Sequence, residues 1–142
     1  MRIQDVMSKN VVSVPKEMGV AMARERLRTE EIDHLVVVDG KRVIGVVAGR
    51  DILRASDDKP LSTVMSRNVV TIRPEATLRH AAGVMRGRAV GCLPVIDDGR
   101  LVGIVTTSDL LTALAKGEIH AAPPSDRIIL RKRGPRKRFL PI

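Results

Sequence analysis

The residues best placed to do chemistry in this 142-residue chain are Thr106, Ser108 and Asp109, in the run Thr106-Thr107-Ser108-Asp109. They follow the apolar stretch Leu101-Val102-Gly103-Ile104-Val105 and precede Leu110-Leu111, so the pattern predicts a strand that ends where a helix begins. A helix start leaves backbone N–H groups without intrahelical partners, and the helix dipole adds to their pull on an anion. A hydroxyl at the junction can add a bond to phosphate, and a carboxylate three residues on can accept from both hydroxyls of a ribose. The same four residues also form a capping box, hydroxyl at the N-cap and acid at N3, which serves the helix alone. The motif supports both readings.

Few other side chains compete. His34 lies beside a strand-like run, where it contacts a ligand or simply packs. His80 and His120 have no Cys or His neighbours at metal spacing, so no metal site is expected. Cys92 is the only cysteine, which leaves no internal disulfide, and it reads as a small buried hydrophobe. Met7, Met18, Met22, Met65 and Met85 read as core filler. No Ser/His/Asp or Cys/His arrangement is evident and no phosphate-binding Gly-rich loop is present, so catalysis is not expected. A cofactor is not required.

The elements that must hold Asp109 in place come from a duplication. Sliding the chain by 58 residues lays Val6-Met7-Ser8-Lys9-Asn10-Val11-Val12-Ser13-Val14 on Val64-Met65-Ser66-Arg67-Asn68-Val69-Val70-Thr71-Ile72. The register then holds through Leu35 on Leu93, Gly45 on Gly103 and Asp51 on Asp109. Each copy reads as an extended stretch (11–14, 69–72), a helix, two short strands around an Asp/Gly turn, and a second helix near Asp51 or Asp109. Val20, Ala23 and Leu27 mark the core face of the first helix, and Leu78, Ala81, Ala82 and Met85 that of its counterpart, which is expected to end near Gly87. The expected order is β-α-β-β-α, twice. The fold class is therefore α/β in the broad sense (α+β), with repeats at 1–58 and 59–116 and a basic tail at 117–142. A unit of about 60 residues is marginal alone, so the two are expected to pack sheet to sheet about a pseudo-twofold axis.

Val-Met-Ser near each repeat's start, with Leu93-Pro94-Val95-Ile96-Asp97 and Gly103-Ile104-Val105-Thr106-Thr107-Ser108-Asp109, resembles a CBS domain. Two in tandem resemble a CBS pair, or Bateman module, over residues 1–116. The first copy departs twice: Val36 stands at the usual Pro, and Ala48 at the usual Ser/Thr. The resemblance implies a regulatory module that binds AMP, ADP, ATP or S-adenosylmethionine and signals by changing shape. It implies a ligand site of Ser13, Val14, Ile32 and Asp33 with Thr106, Ser108 and Asp109. It implies a second, weaker one of Arg50 and Asp51 with Thr71, Ile72, Val90 and Gly91, where Arg50 offsets the missing hydroxyl by contacting phosphate. A homodimer, two modules forming a flat disc, is also implied.

Composition frames this. The chain is 44% apolar with a single aromatic, Phe139, so its core is aliphatic. Gln4, Asn10 and Asn68 are the only amides, which fits a hot-growing source. No apolar run is long enough to cross a membrane and the N-terminus lacks a signal-like stretch, so a cytoplasmic protein is expected. The formal net charge is +9, and the last seventeen residues carry seven cations against one acid. Within them, Arg131, Lys132, Arg133, Arg136, Lys137 and Arg138 are placed to pair with nucleic-acid phosphates or to remain a solvated terminus. That run is the alternative function: a nucleic-acid binder with the repeats as its dimerising or regulatory body.

Overall fold

The computed structural model describes residues 1–117; the basic run 131–138 and the rest of the tail lie outside the described residues. The elements are α1 (Ile3–Val6), β1 (Ser13–Pro15), α2 (Val20–Glu30), β2 (His34–Asp39), β3 (Arg42–Ala48), α3 (Gly49–Arg54), a 3-10 turn at Leu61–Thr63, α4 (Leu78–Arg88), β4 (Cys92–Asp97), β5 (Arg100–Thr106) and α5 (Thr107–Ala115). The expected β-α-β-β-α order is present in the first copy, while the second lacks its first strand; each copy is preceded by a short helical turn that the sequence pattern did not reveal. Val20, Ala23 and Leu27 are the buried positions of α2, and Leu78, Ala81 and Met85 those of α4. Ala82 is exposed. So is Met22, at 62%, and it fills no core.

β1 runs parallel to β2, and β2 antiparallel to β3. In the second copy only β4 and β5 form a ladder, and the 69–72 stretch is reduced to one bridge, Ile72 to Val95. The cause is one substitution between the repeats. Val36 N–H donates to Val12 O at 3.0 Å. Its counterpart Pro94 has no N–H, so the equivalent bond to Val70 cannot form. The β4–β5 turn places Asp98 and Gly99 at φ 53° and 78°, as a tight two-residue hairpin requires.

Each repeat lends its first segment to the other. Ile3 N–H donates to Ala76 O and Ser8 N–H to Ile104 O, both at 2.9 Å, while Leu61 N–H donates to Met18 O and Ser66 N–H to Val46 O, both at 2.8 Å. Ile3 is accordingly buried with Leu78, Leu93 and Val105, whereas Leu61 and Met65 are buried with Leu35, Val37 and Val47. Two aliphatic cores result, each completed by the neighbouring repeat. Fully burying one such aliphatic side chain is worth about 1.5–3 kcal/mol, so the exchange ties the folding of the two units together. Val36 and Pro94, on the opposite face of β2 and β4, are buried yet belong to neither core.

Candidate functional site

The strands of both repeats end, and helices α3 and α5 begin, around one cleft of about 670 Å³. Its lining obeys the duplication throughout. Ser8, Asn10, Glu31, Ile32, Asp33, His34, Val46, Ala48, Gly49, Arg50 and Asp51 face it from the first copy. From the second come Ser66, Asn68, Ala89, Val90, Gly91, Cys92, Ile104, Thr106, Thr107, Ser108 and Asp109. Every member has its partner 58 positions away.

Local structure explains why these residues meet. Helices α2 and α4 end on Glu31 and Ala89, both left-handed at φ 55°. Non-glycine residues seldom adopt that conformation. Ile32 N–H then closes onto Leu27 O at 3.1 Å, and Val90 N–H onto Met85 O at 3.0 Å, which turns the following residues toward the cleft. Gly49 N–H bonds Asp33 O at 2.8 Å and Thr107 N–H bonds Gly91 O at 3.0 Å, tying each helix start to the lip of the cleft. Asn10 Nδ2 and Asn68 Nδ2 donate to Glu30 O and Arg88 O at 3.2 and 2.9 Å. Those amides fasten the exchanged segments to the ends of α2 and α4.

Of the residues assigned to the fuller site, the structure brings Ile32, Asp33, Thr106, Ser108 and Asp109 to the cleft; of the second, it brings Arg50, Asp51, Val90 and Gly91. Both halves open into this single space. Ser13, Val14, Thr71 and Ile72 line none of it. Val14 and Ile72 are 1% and 5% exposed and spend their side chains in the two cores, while Ser13, in β1, and Thr71, outside any strand, are exposed. Sequence reasoning missed Ser8, Asn10, Ser66 and Asn68. A signal existed: two of the chain's three amides occupy the same repeat position.

The two helix starts differ. Thr106 caps α5 in a full box, its hydroxyl accepting from Asp109 N–H at 3.4 Å and Asp109 Oδ2 accepting from Thr106 N–H at 2.8 Å. Ala48 gives α3 no side-chain cap. Burial acts on two other side chains of the cleft: it lowers the His34 pKa below its usual 6.5, with Asp33 opposing and Arg50 assisting. It pushes the Cys92 thiol up to about 12, so this residue is neutral and inert rather than nucleophilic. Among the described residues no group of three or more His, Cys, Asp or Glu is placed to hold a metal ion. None of the helices there is long and apolar enough to cross a membrane.

A sequence model of the CBS domain matches residues 3–58 and 61–116. The chain spans about a quarter of the length of several curated relatives, among them a homoserine O-acetyltransferase of Methanocorpusculum labreanum. That relative is 35% identical over 115 residues, 79% of this chain and 24% of the enzyme. Among solved structures, the CBS domain pair of protein MJ0100 in complex with 5′-methylthioadenosine and S-adenosyl-L-methionine is similar. It has a TM-score of 0.73 and 29% identity, covering 84% of this chain and 98% of that one. The cytosolic domain of the Mg2+ channel MgtE in complex with ATP matches with a TM-score of 0.66 and 32% identity, over 76% of this chain and 46% of that one.

Proposed function

The chain belongs to the CBS-domain family as a tandem pair, and on that premise we propose that it is a regulatory module whose cleft binds an adenosyl ligand. The observation that carries this reading is the cleft's composition: two helix starts, each with a carboxylate (Asp51 and Asp109), facing one space between the repeats. Asp109 keeps Oδ1 without a protein partner among the described residues, so its carboxylate can cap α5 and still accept from a ribose hydroxyl. The apolar walls are Ile32, Val46, Val90 and Ile104, which suit the face of a base. Similarity to CBS pairs solved with S-adenosylmethionine, 5′-methylthioadenosine and ATP supports the same class.

The fold suggests how binding becomes a signal. Each core is completed by a segment of the other repeat, so a ligand that bridges the repeats favours one relative arrangement by its differential affinity. A partner protein or a second copy reads that arrangement, and the module itself is not catalytic. A melting scan against adenine nucleotides and adenosyl compounds tests the proposal. A ligand at about 100 times its Kd stabilises the fold by about 2.7 kcal/mol, and a panel in which nothing raises Tm removes the reading. The six cations within 131–138 support a second role, contact with nucleic acid. Deleting 126–142 should then abolish salt-dependent RNA or DNA binding, and unchanged binding removes that role.

A further inference from the structure

The charges of the cleft discriminate among adenosyl ligands. Its lining holds four carboxylates, Glu31, Asp33, Asp51 and Asp109, against one guanidinium, Arg50. That is a net of −3 if His34 is uncharged, and burial favours the neutral imidazole. No ion pair among the described residues neutralises any of the four, since the five that form join Lys16 to Asp39, Arg24 to Asp57, Arg26 to Glu30, Arg28 to Glu25 and Arg73 to Glu75. Lys9 and Arg67 adjoin Ser8 and Ser66 in sequence but line no part of the cleft. The charged groups also act on one another across the repeats: His34, in the first copy, feels Asp33, Arg50 and Asp51 and also Asp109 of the second.

Resting on the adenosyl reading above, we infer that this cleft selects cationic or uncharged adenosyl compounds, S-adenosylmethionine above all, over adenine nucleotides. A terminal phosphate carries about −1.5 to −2 at neutral pH. The two helix starts add partial positive charge, but each already has its own carboxylate, Asp51 or Asp109; placed among four carboxylates with one guanidinium to meet it, the phosphate is repelled more than it is held. S-adenosylmethionine carries a sulfonium and an ammonium against one carboxylate, so its net positive charge meets the opposite field and supplies part of the missing counter-charge. Glu31 and Asp33 are exposed at the lip, so their effect is screened by salt. The similar structures do not make this choice, because one was solved with S-adenosylmethionine and another with ATP. The carboxylates of this chain make it.

The test is competition on the full chain, with labelled 5′-methylthioadenosine as an uncharged probe of the cleft. S-adenosylmethionine should displace it at a concentration about tenfold or more below that needed for AMP or ATP. Raising salt should narrow the gap, and the double variant Glu31→Gln with Asp33→Asn should narrow it at low salt, read as the ratio of the two displacing concentrations; a ratio unchanged by both overturns the selectivity. Displacement by AMP or ATP at equal or lower concentration overturns the selectivity and leaves the adenosyl reading standing. Failure of the probe to bind, together with no effect of any nucleotide on Tm, removes both.

Discussion

Asp109 folds back onto Thr106: its Oδ2 accepts the Thr106 N–H at 2.8 Å and the Thr106 hydroxyl at 3.2 Å. The capping box expected from the sequence therefore exists, and it occupies one carboxylate oxygen of the two. Cap and ligand share the residue.

The first repeat lacks this arrangement because Ala48 stands where Thr106 stands in the second, although Asp51 is retained. Ala48→Thr should complete a box on α3 and raise unfolding stability by about 0.5–1 kcal/mol, while Thr106→Ala should cost about 1 kcal/mol. Urea unfolding of the two variants checks both signs. An Ala48→Thr variant no more stable than the parent would show that a hydroxyl adds nothing to the tie to Asp33 O and the burial of Ile52 that already hold α3.

The exchanged segments predict unequal tolerance at two equivalent glycines. A Cβ on Gly103 would lie 2.6 Å from Met7 Sδ and 2.9 Å from the backbone oxygen of Ser8. On Gly45 the closest atoms all belong to the flexible Met65 side chain. Overpacking typically costs about 1–3 kcal/mol, so Gly103→Ala should fall in that range and Gly45→Ala should cost less. Equal losses in Tm would contradict this account of how residues 3–8 dock.

His34 makes stability depend on pH. Its folded pKa lies below the 6.5 of an ordinary imidazole because burial disfavours the charged form. The unfolded chain therefore takes the proton first, and stability falls as pH drops below about 6.5. His34→Gln should lose less stability than the parent between about pH 7 and pH 5. Parallel profiles for the two proteins would contradict the burial argument.

Leu53 and Leu111 occupy the same position in α3 and α5 and are 75% and 64% exposed, with Leu114 beside Leu111's turn at 49%. A symmetric dimer needs a surface that complements itself, and this pair supplies matched apolar positions for a second copy. Leu53→Glu with Leu111→Glu should convert a dimer to a monomer in sedimentation velocity. A parent chain that already sediments as a monomer, or a dimer left intact by the double variant, would contradict this role for the two leucines.

Much of this was legible before any coordinates. The 58-residue register set the repeat, Leu35-Val36-Val37 and Leu93-Pro94-Val95 marked the central strands, and Thr106 with Asp109 marked a helix start. The exchange of residues 3–8 and 61–66 was not legible. Duplicated segments carry nearly the same side chains, so Met7 fits Gly103 or Gly45 by pattern alone, and chain geometry decides. Two separate sites were expected because each motif was read with its own partners. Both helix starts open on the same cleft, so the two sets of residues adjoin. Pro94 matches the family pattern in the sequence, but its cost to the 69–72 strand follows only from the Val36–Val12 bond it cannot copy.

The central claim is that the Asp109 carboxylate holds a ligand's sugar across the seam between repeats. Calorimetric titration of 5′-methylthioadenosine into the parent and Asp109→Asn tests it most directly. Asparagine keeps an oxygen for the Thr106 N–H, so the fold and Tm are preserved, but its second atom is a donor that cannot accept a ribose hydroxyl. The variant should bind at least about tenfold more weakly, a loss of about 1.4 kcal/mol. Equal affinity with equal Tm would contradict the account.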